Sequence, residues 1–202
     1  MKILFAASEV APFIKTGGLA DVAGSLPQAL AGAGHEVTVV LPLYQGIGPA
    51  WREQMTFLKW FNIPLSWRQA YCGVFQLERD GVTYWFVDNE YYFKRAQIYG
   101  HFDDCERFAF FSRAVLAAPA QMDWAPDIIH CNDWQTALIP IYLKDDGVRE
   151  ARCRSIRTVL TIHNIEYQGR YGAECLGDLF GLDQGWADDG TLMMDGDVNL
   201  LK

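Results

Sequence analysis

Lys15-Thr16-Gly17-Gly18-Leu19-Ala20-Asp21-Val22 joins two segments that can be read with little ambiguity. Before it, Ile3-Leu4-Phe5-Ala6-Ala7 is a short apolar run, which predicts a buried first strand over residues 2–7. After it, Leu19, Val22, Ala23, Leu26, Leu30 and Ala33 recur at spacings of three and four, the mark of one apolar helix face over residues 18–33. A strand therefore runs into a loop with a lysine and two glycines, and the loop opens a helix. Gly17 and Gly18 let the backbone approach a ligand closely. The first helical amides have no partner inside the helix and carry partial positive charge, to which Lys15 adds a full one. Phosphate suits such a place.

Working outward, Gly34 is a helix stop, and Glu36-Val37-Thr38-Val39-Val40-Leu41, ended by Pro42, reads as a second buried parallel strand. Strand, helix and strand form a βαβ unit. Residues 57–63 and 71–79 read as strands. Asp80-Gly81 is a hairpin turn leading into a strand over 82–87. These strands predict an antiparallel excursion from, or extension of, the main sheet. The aromatic stretch 91–101 has no clear period and reads as a surface loop. Asp103-Asp104 can cap a helix over 105–118, with Phe108, Phe111, Val115 and Leu116 on one face. A buried strand over 127–130, a loop Cys131-Asn132-Asp133-Trp134, a helix over 136–144 and a strand over 157–162 follow. The acidic, glycine-containing stretch 177–197 suits a loop with short helical pieces. The expected fold class is α/β, a parallel sheet with flanking helices and an antiparallel hairpin excursion.

Composition narrows the function. The 202 residues carry a net charge of −8, so no basic surplus exists to displace counterions, and a nucleic-acid partner is not expected. Half of the residues are hydrophobic and aromatics are frequent, which argues against disorder. Cys72, Cys105, Cys131, Cys153 and Cys175 are odd in number, widely spaced and form no Cys-x-x-Cys pair. Neither a disulfide framework nor a metal site is expected, and a reducing cytoplasm is the default compartment. No apolar run reaches membrane length, so no membrane partner is expected.

Three polar clusters fall in loops that each follow a strand read as buried: Lys15 to Asp21, His130 to Trp134, and His163 to Gln168. The carboxyl ends of parallel strands share one edge, where ligands bind. Each cluster also has a plainer reading. Lys15 can be a solvated lysine beside a simple turn, and Asp21 can merely complement the helix dipole. Asp133 can cap the next helix, Trp134 can be core, and Tyr99 can be an ordinary loop aromatic. His163 can be a structural histidine, although Asn164, Tyr167 and Gln168 surround it with hydrogen-bonding side chains.

Taken together, these motifs resemble the N-terminal domain of the bacterial glycogen synthase and plant starch synthase family. The resemblance covers essentially the whole chain. It rests on Lys15-Thr16-Gly17-Gly18-Leu19-Ala20-Asp21-Val22 after Ser8-Glu9-Val10-Ala11-Pro12-Phe13, on Leu41-Pro42-Leu43-Tyr44, on His130-Cys131-Asn132-Asp133-Trp134, and on Thr161-Ile162-His163-Asn164-Ile165-Glu166-Tyr167-Gln168-Gly169. It implies the GT-B architecture, two Rossmann-like domains facing each other across a cleft. It implies transfer of glucose from ADP-glucose to the non-reducing end of an α-1,4-glucan, with retention of configuration and without metal or other cofactor. Lys15 then matches the donor-binding lysine, and Thr16, Gly17 and Gly18 belong to the loop that approaches the diphosphate. Asp21 matches an acid near the reaction centre, and His163 the histidine that contacts the transferred sugar. Asp133 and Trp134 match an Asp-Trp pair lining the cleft. Tyr99 matches a substrate-contacting aromatic, and Asn164, Tyr167 and Gln168 complete the expected sugar contacts.

The resemblance further implies that residues 1–202 are the N-terminal, acceptor-side domain, incomplete at its C-terminus. A second, nucleotide-binding domain lies outside them, and the chain alone is expected to be inactive. Two rivals stand beside this reading. A dinucleotide-dependent oxidoreductase needs Gly-x-Gly-x-x-Gly and an acid at the end of the second strand, and this chain has Lys-Thr-Gly-Gly and Leu41-Pro42 instead. A glucan-binding or partner-binding module without catalysis is compatible with the aromatic loops.

Overall fold

The computed structural model describes residues 1–147 and 155–202. Their centre is a seven-stranded mixed sheet in the order β3-β4-β5-β2-β1-β6-β7. β1 (Lys2–Ala6) and β2 (Glu36–Pro42) pair in parallel, joined through α1 (Gly18–Gly32) as the periodicity predicts. Leu4, Phe5, Ala6, Val39, Val40 and Leu41 are fully enclosed, because a strand at the middle of a sheet is covered on both faces. Gly34, at φ +88°, ends the helix in the left-handed region.

α2 (Pro49–Arg52) is a single turn that leads into β3 (Thr56–Leu65), β4 (Arg68–Arg79) and β5 (Val82–Asp88). Asp80 and Gly81 both have positive φ, so the two-residue turn twists with its strands. β5 then pairs in parallel with β2, so the hairpins extend the main sheet rather than leaving it. Register alternation aims Phe61, Ile63, Leu65, Cys72 and Val74 at α4 (Asp104–Gln121). Trp60, Asn62, Tyr71, Gly73 and Phe75 share the opposite face with Tyr84, Phe86 and Asp88, the side on which α1 lies against β2 and β5.

The stretch 91–101, expected as a surface loop, is a correction. α3 (Glu90–Phe93) is capped by Asn89, whose side chain accepts from the Tyr92 amide, and Tyr92, Phe93 and Ile98 are buried. Its anchor is Arg107, fully enclosed on α4. The guanidinium donates to the carbonyls of Tyr92 and Ile98 and pairs with Asp104, while Asp104 also accepts from the Gly100 amide. α4 is correspondingly not a helix with one apolar face. It is buried nearly all round, and Asp103 forms a bidentate pair with Arg95 rather than capping it.

β6 (Ile128–Asn132) pairs with β1 on its other side, and β7 (Arg157–Thr161) follows β6 in parallel. Cys131 and Asn132 thus belong to the strand and not to the loop. A short 3-10 turn (Trp134–Thr136) and α5 (Leu138–Gly147) come after β6. β7, read as buried, is a correction too. It is the last strand of the sheet, and Val159, Leu160 and Ile162 are exposed because no described element covers them.

The acidic stretch holds the short helices α6 (Cys175–Asp178) and α7 (Gly185–Asp188), as expected. A small sheet that the sequence reading missed spans residues 170–199: β8 (Arg170–Tyr171), β9 (Met193–Met194) and β10 (Asp197–Asn199), in the order β8-β10-β9. Among the described residues no helix is long and apolar enough to cross a membrane. Cys72, Cys105, Cys131 and Cys175 are buried free thiols; Cys153 lies outside the described residues.

Candidate functional site

From β1 the chain moves to β2 on one side and later returns to β6 on the other. The strand order reverses at β1 and β6, and the loops leaving their carboxyl ends diverge there. In doubly wound sheets that is where a crevice opens and ligands bind. The loops after β1, β6 and β7 all leave this edge.

The loop after β1 is built around Glu9, a residue the sequence reading passed over. Its carboxylate is buried and accepts from the Thr16 amide at 2.5 Å, the Thr16 hydroxyl at 2.8 Å and the Gly17 amide at 3.3 Å. Two amides expected to face an external anion are therefore already satisfied by the protein's own carboxylate. The first amides of α1, from Gly18 onward, are the ones without an intrahelical acceptor. A side chain at Gly18 would meet nothing within 4 Å, so the approach to that turn is open. Lys15 and Asp21 form a bidentate ion pair at 2.6 and 2.7 Å, with both side chains more than half exposed. Such pairs contribute only about 0.2–1 kcal/mol, so Lys15 can exchange its partner at little cost.

At the end of β6 the backbone is strained. Asp133 sits at φ 57°, ψ −176°, a region open almost only to glycine. Its amide donates to Thr161 of β7, and its carboxylate oxygen accepts from the amides of His163 at 2.6 Å and Asn164 at 3.3 Å. Asp133 does not cap the turn that follows it. It fastens the loop after β7 to the end of β6, and so joins two of the three clusters.

Asn132 fixes the imidazole of His163. Its amide nitrogen donates to the carbonyls of Ala6 and His130, which turns its oxygen toward His163 Nε2, 2.9 Å away. An amide oxygen only accepts, so Nε2 carries the proton and Nδ1 of the neutral ring is left as an acceptor. His130 lies behind, bonded to the Thr161 hydroxyl at 2.8 Å and packed edge-on against Phe5. Burial, helped by nearby His163, pushes its pKa below the ordinary histidine value.

Tyr99 is placed independently of its own loop. Its hydroxyl lies 2.6 Å from Ser8 Oγ, beside Glu9 at the end of β1. Burial raises its pKa first, and the Glu9 charge adds to this, so the phenol is neutral. Trp134 is core: its ring meets Phe108 and Tyr171 edge-on, and a side chain on Gly169 would come within 2.9 Å of it. Gln168 donates to Ile165 and accepts from Asn199, tying the loop to β10. Asn164 accepts from the Glu166 amide, and both Asn164 and Tyr167 are exposed. Thus the His130 and His163 clusters are in direct contact, with Tyr99 against the β1 loop. Lys15 and Asp21 stand at the outer side of that loop.

The fold and this edge define a doubly wound α/β domain with polar loops gathered at a topological switch point. Comparison with known proteins is more specific. The starch synthase catalytic domain family matches residues 2–202, and the chain belongs to that family. It is 49% identical over its whole length to a glycogen synthase of Lactobacillus acidophilus and 50% identical to one of Clostridium botulinum, spanning 42% of each relative. Among solved structures it resembles the catalytic domain of starch synthase IV from Arabidopsis thaliana, bound to ADP and acarbose. The TM-score is 0.87 and the identity 32%, over 98% of this chain and 42% of that one. The sheet and its helices are thus those of a GT-B glycosyltransferase catalytic domain.

Proposed function

We propose that residues 1–202 form the N-terminal, acceptor-side domain of a retaining hexosyltransferase, a glycogen or starch synthase. The reaction is transfer of glucose from ADP-glucose to the non-reducing end of an α-1,4-glucan. A second domain, among the remainder of the relatives' length, holds most of the nucleotide. The observation that carries this reading is the gathering of the β1, β6 and β7 loops at one switch point, in a fold that superposes on a starch synthase bound to ADP and acarbose.

In this reading Lys15, Thr16, Gly17 and Gly18 receive the diphosphate. Thr16 and Gly17 act through the backbone that Glu9 holds, and Lys15 and the open first turn of α1 act by direct contact. Departure of ADP builds charge there, and preformed donors stabilise that charge more in the transition state than in the ground state. His163 presents Nδ1 to a sugar hydroxyl. Asp21 stands near the reaction centre, and strained Asp133 keeps His163 in place. Tyr99, Asn164, Tyr167 and Gln168 contact sugar, and Trp134 supports their loop from the core. The free buried thiols favour a reducing, cytoplasmic compartment, and the acidic balance disfavours nucleic acid.

Calorimetric titration of the chain with ADP-glucose, and separately with maltoheptaose, tests the proposal. Glucan binding weakened by Tyr167→Ala is the expected result, with donor binding weak and abolished by Lys15→Ala. Turnover by residues 1–202 alone would overturn the need for a second domain. Failure to bind either ligand in a protein that also contains the second domain would overturn the assignment.

A further inference from the structure

We propose that the outer face of the β3–β4 hairpin is an accessory glucan-binding surface, centred on Trp60 and Tyr71 and separate from the crevice. The inference rests on the glucan reading given above. The two rings lie 6.3 Å apart with their planes only 24° from parallel. They are 58% and 42% exposed, against the general rule that large aromatics are covered. Their near-parallel arrangement has a local cause. Gly73 stands opposite Trp60 in the register, and a side chain there would come within 2.6 Å of the Tyr71 hydroxyl. The tyrosine thus lies across the strand over the one position that leaves room for it. Phe57 and Phe75 continue the row along the same face, 5.1 Å apart.

Hydrogen-bonding groups border these rings. Asn62 is the cross-strand partner of Tyr71, and the Asp88 carboxylate faces the Tyr71 hydroxyl. Asn89 holds the strand by donating to the Tyr71 carbonyl at 2.8 Å. On its far side Tyr71 borders a groove of about 480 Å³ with Gln69, Glu90 and Tyr91 on its walls. That volume is in the range of small-molecule sites. A pair of exposed, near-parallel aromatic rings edged by amides and carboxylates matches a pyranose, whose carbon-bound hydrogens form a flat apolar face and whose hydroxyls point outward around it. Arg68 and the Glu90–Lys94 pair stand there too, so sugar hydroxyls meet donors as well as acceptors around the rings.

β5 and β2 lie between this hairpin and β1. At the usual strand spacing β4 stands roughly 15 Å from the strand that opens the crevice. A polymer can occupy both places at once. Holding it at the hairpin raises the effective concentration of its other chain ends at the crevice, without any new contact there.

The test is electrophoretic retardation in gels containing glycogen, with maltoheptaose titration alongside, on the wild-type chain, Trp60→Ala/Tyr71→Ala, Trp60→Phe/Tyr71→Phe and Tyr167→Ala. Both target side chains are exposed, so circular dichroism and the urea midpoint should not move in the double variants. The double alanine variant is expected to lose glycogen retention on the order of tenfold, while the phenylalanine variant keeps most of it. Tyr167→Ala should weaken maltoheptaose binding at the crevice and leave most of the retention intact. Unchanged retention in Trp60→Ala/Tyr71→Ala overturns the proposal and leaves the main function standing. So does retention lost only in Tyr167→Ala. A change of sedimentation from dimer to monomer in the double alanine variant, with maltoheptaose affinity unaltered, would make the face a self-association surface instead. If no form binds glucan, the accessory surface falls, and the main reading is then decided on the protein that contains the second domain.

Discussion

Asp133 offers the sharpest check on the geometry of the crevice. Asp133→Ala removes an acceptor for two amides, one at 2.6 Å and one at 3.3 Å, and keeps the strained backbone. The shorter, charge-assisted bond is worth about 1.5–3 kcal/mol and the longer one less, so the loss should be about 3 kcal/mol. Asp133→Gly loses the same bonds but also relieves backbone strain of about 1–3 kcal/mol. Against that relief stands the greater freedom of glycine in the unfolded chain, about 0.5–1 kcal/mol. The glycine variant should therefore be more stable than the alanine variant by about 1–2 kcal/mol. At an ordinary position the order is reversed. Urea unfolding with linear extrapolation measures the difference, and thermal melts should separate the two by roughly 2–8 °C. Hydrogen exchange at the His163 and Asn164 amides should speed up in both variants alike. An alanine variant as stable as the glycine variant, or more so, would refute the claim that strain is stored at this turn.

Three further outcomes follow from the packing. Arg107→Met leaves Asp104 buried without its cation and two carbonyls without a donor, and should cost about 3–5 kcal/mol in urea unfolding. A loss under 1 kcal/mol would remove Arg107 as the anchor of residues 92–100. Gly24→Val should destabilise by about 1–3 kcal/mol, because a side chain at Gly24 would meet the Ala11 carbonyl oxygen at 2.5 Å where the β1 loop crosses α1. Burial pushes the Asp103 carboxyl up, but its two bonds to Arg95 overcome this and hold it below the usual aspartate value. The stability this supplies is present above the unfolded aspartate pKa and is lost as pH falls through the lowered folded one. The gap between wild type and Asp103→Asn should accordingly close at acid pH, and a gap that widens there would contradict the assignment.

What could be read from the sequence was what depends on local period and turn chemistry. The first βαβ unit stands where Leu19, Ala23 and the β-branched run after Gly34 put it, and Asp80-Gly81 turns the hairpin as such a pair should. Long-range partners were not legible. The order of residues 91–101 comes from a guanidinium on another helix, so no window of that stretch contains the reason for its burial. β7 has the composition of an interior strand, and only its place at the sheet edge exposes Val159 and Leu160. β8, β9 and β10 are two or three residues long, too short for any period to register. Among the site residues, the three clusters were visible because they follow strands, whereas Glu9 hid in an apolar context. Its signal was present nonetheless: a carboxylate directly after a buried strand and before a glycine loop needs donors, and the nearest unpaired amides are those of Thr16 and Gly17.

Because the Glu9 carboxylate moulds the loop from within, the loop carries its own counter-charge and holds its shape before any ligand arrives. In kinetic terms it behaves as a fixed wall and not as a lid. Capture of a ligand at that wall is not gated by ordering of the loop; encounter frequency and charge set its speed. A slow ordering step, if kinetics revealed one, would have to arise outside this loop.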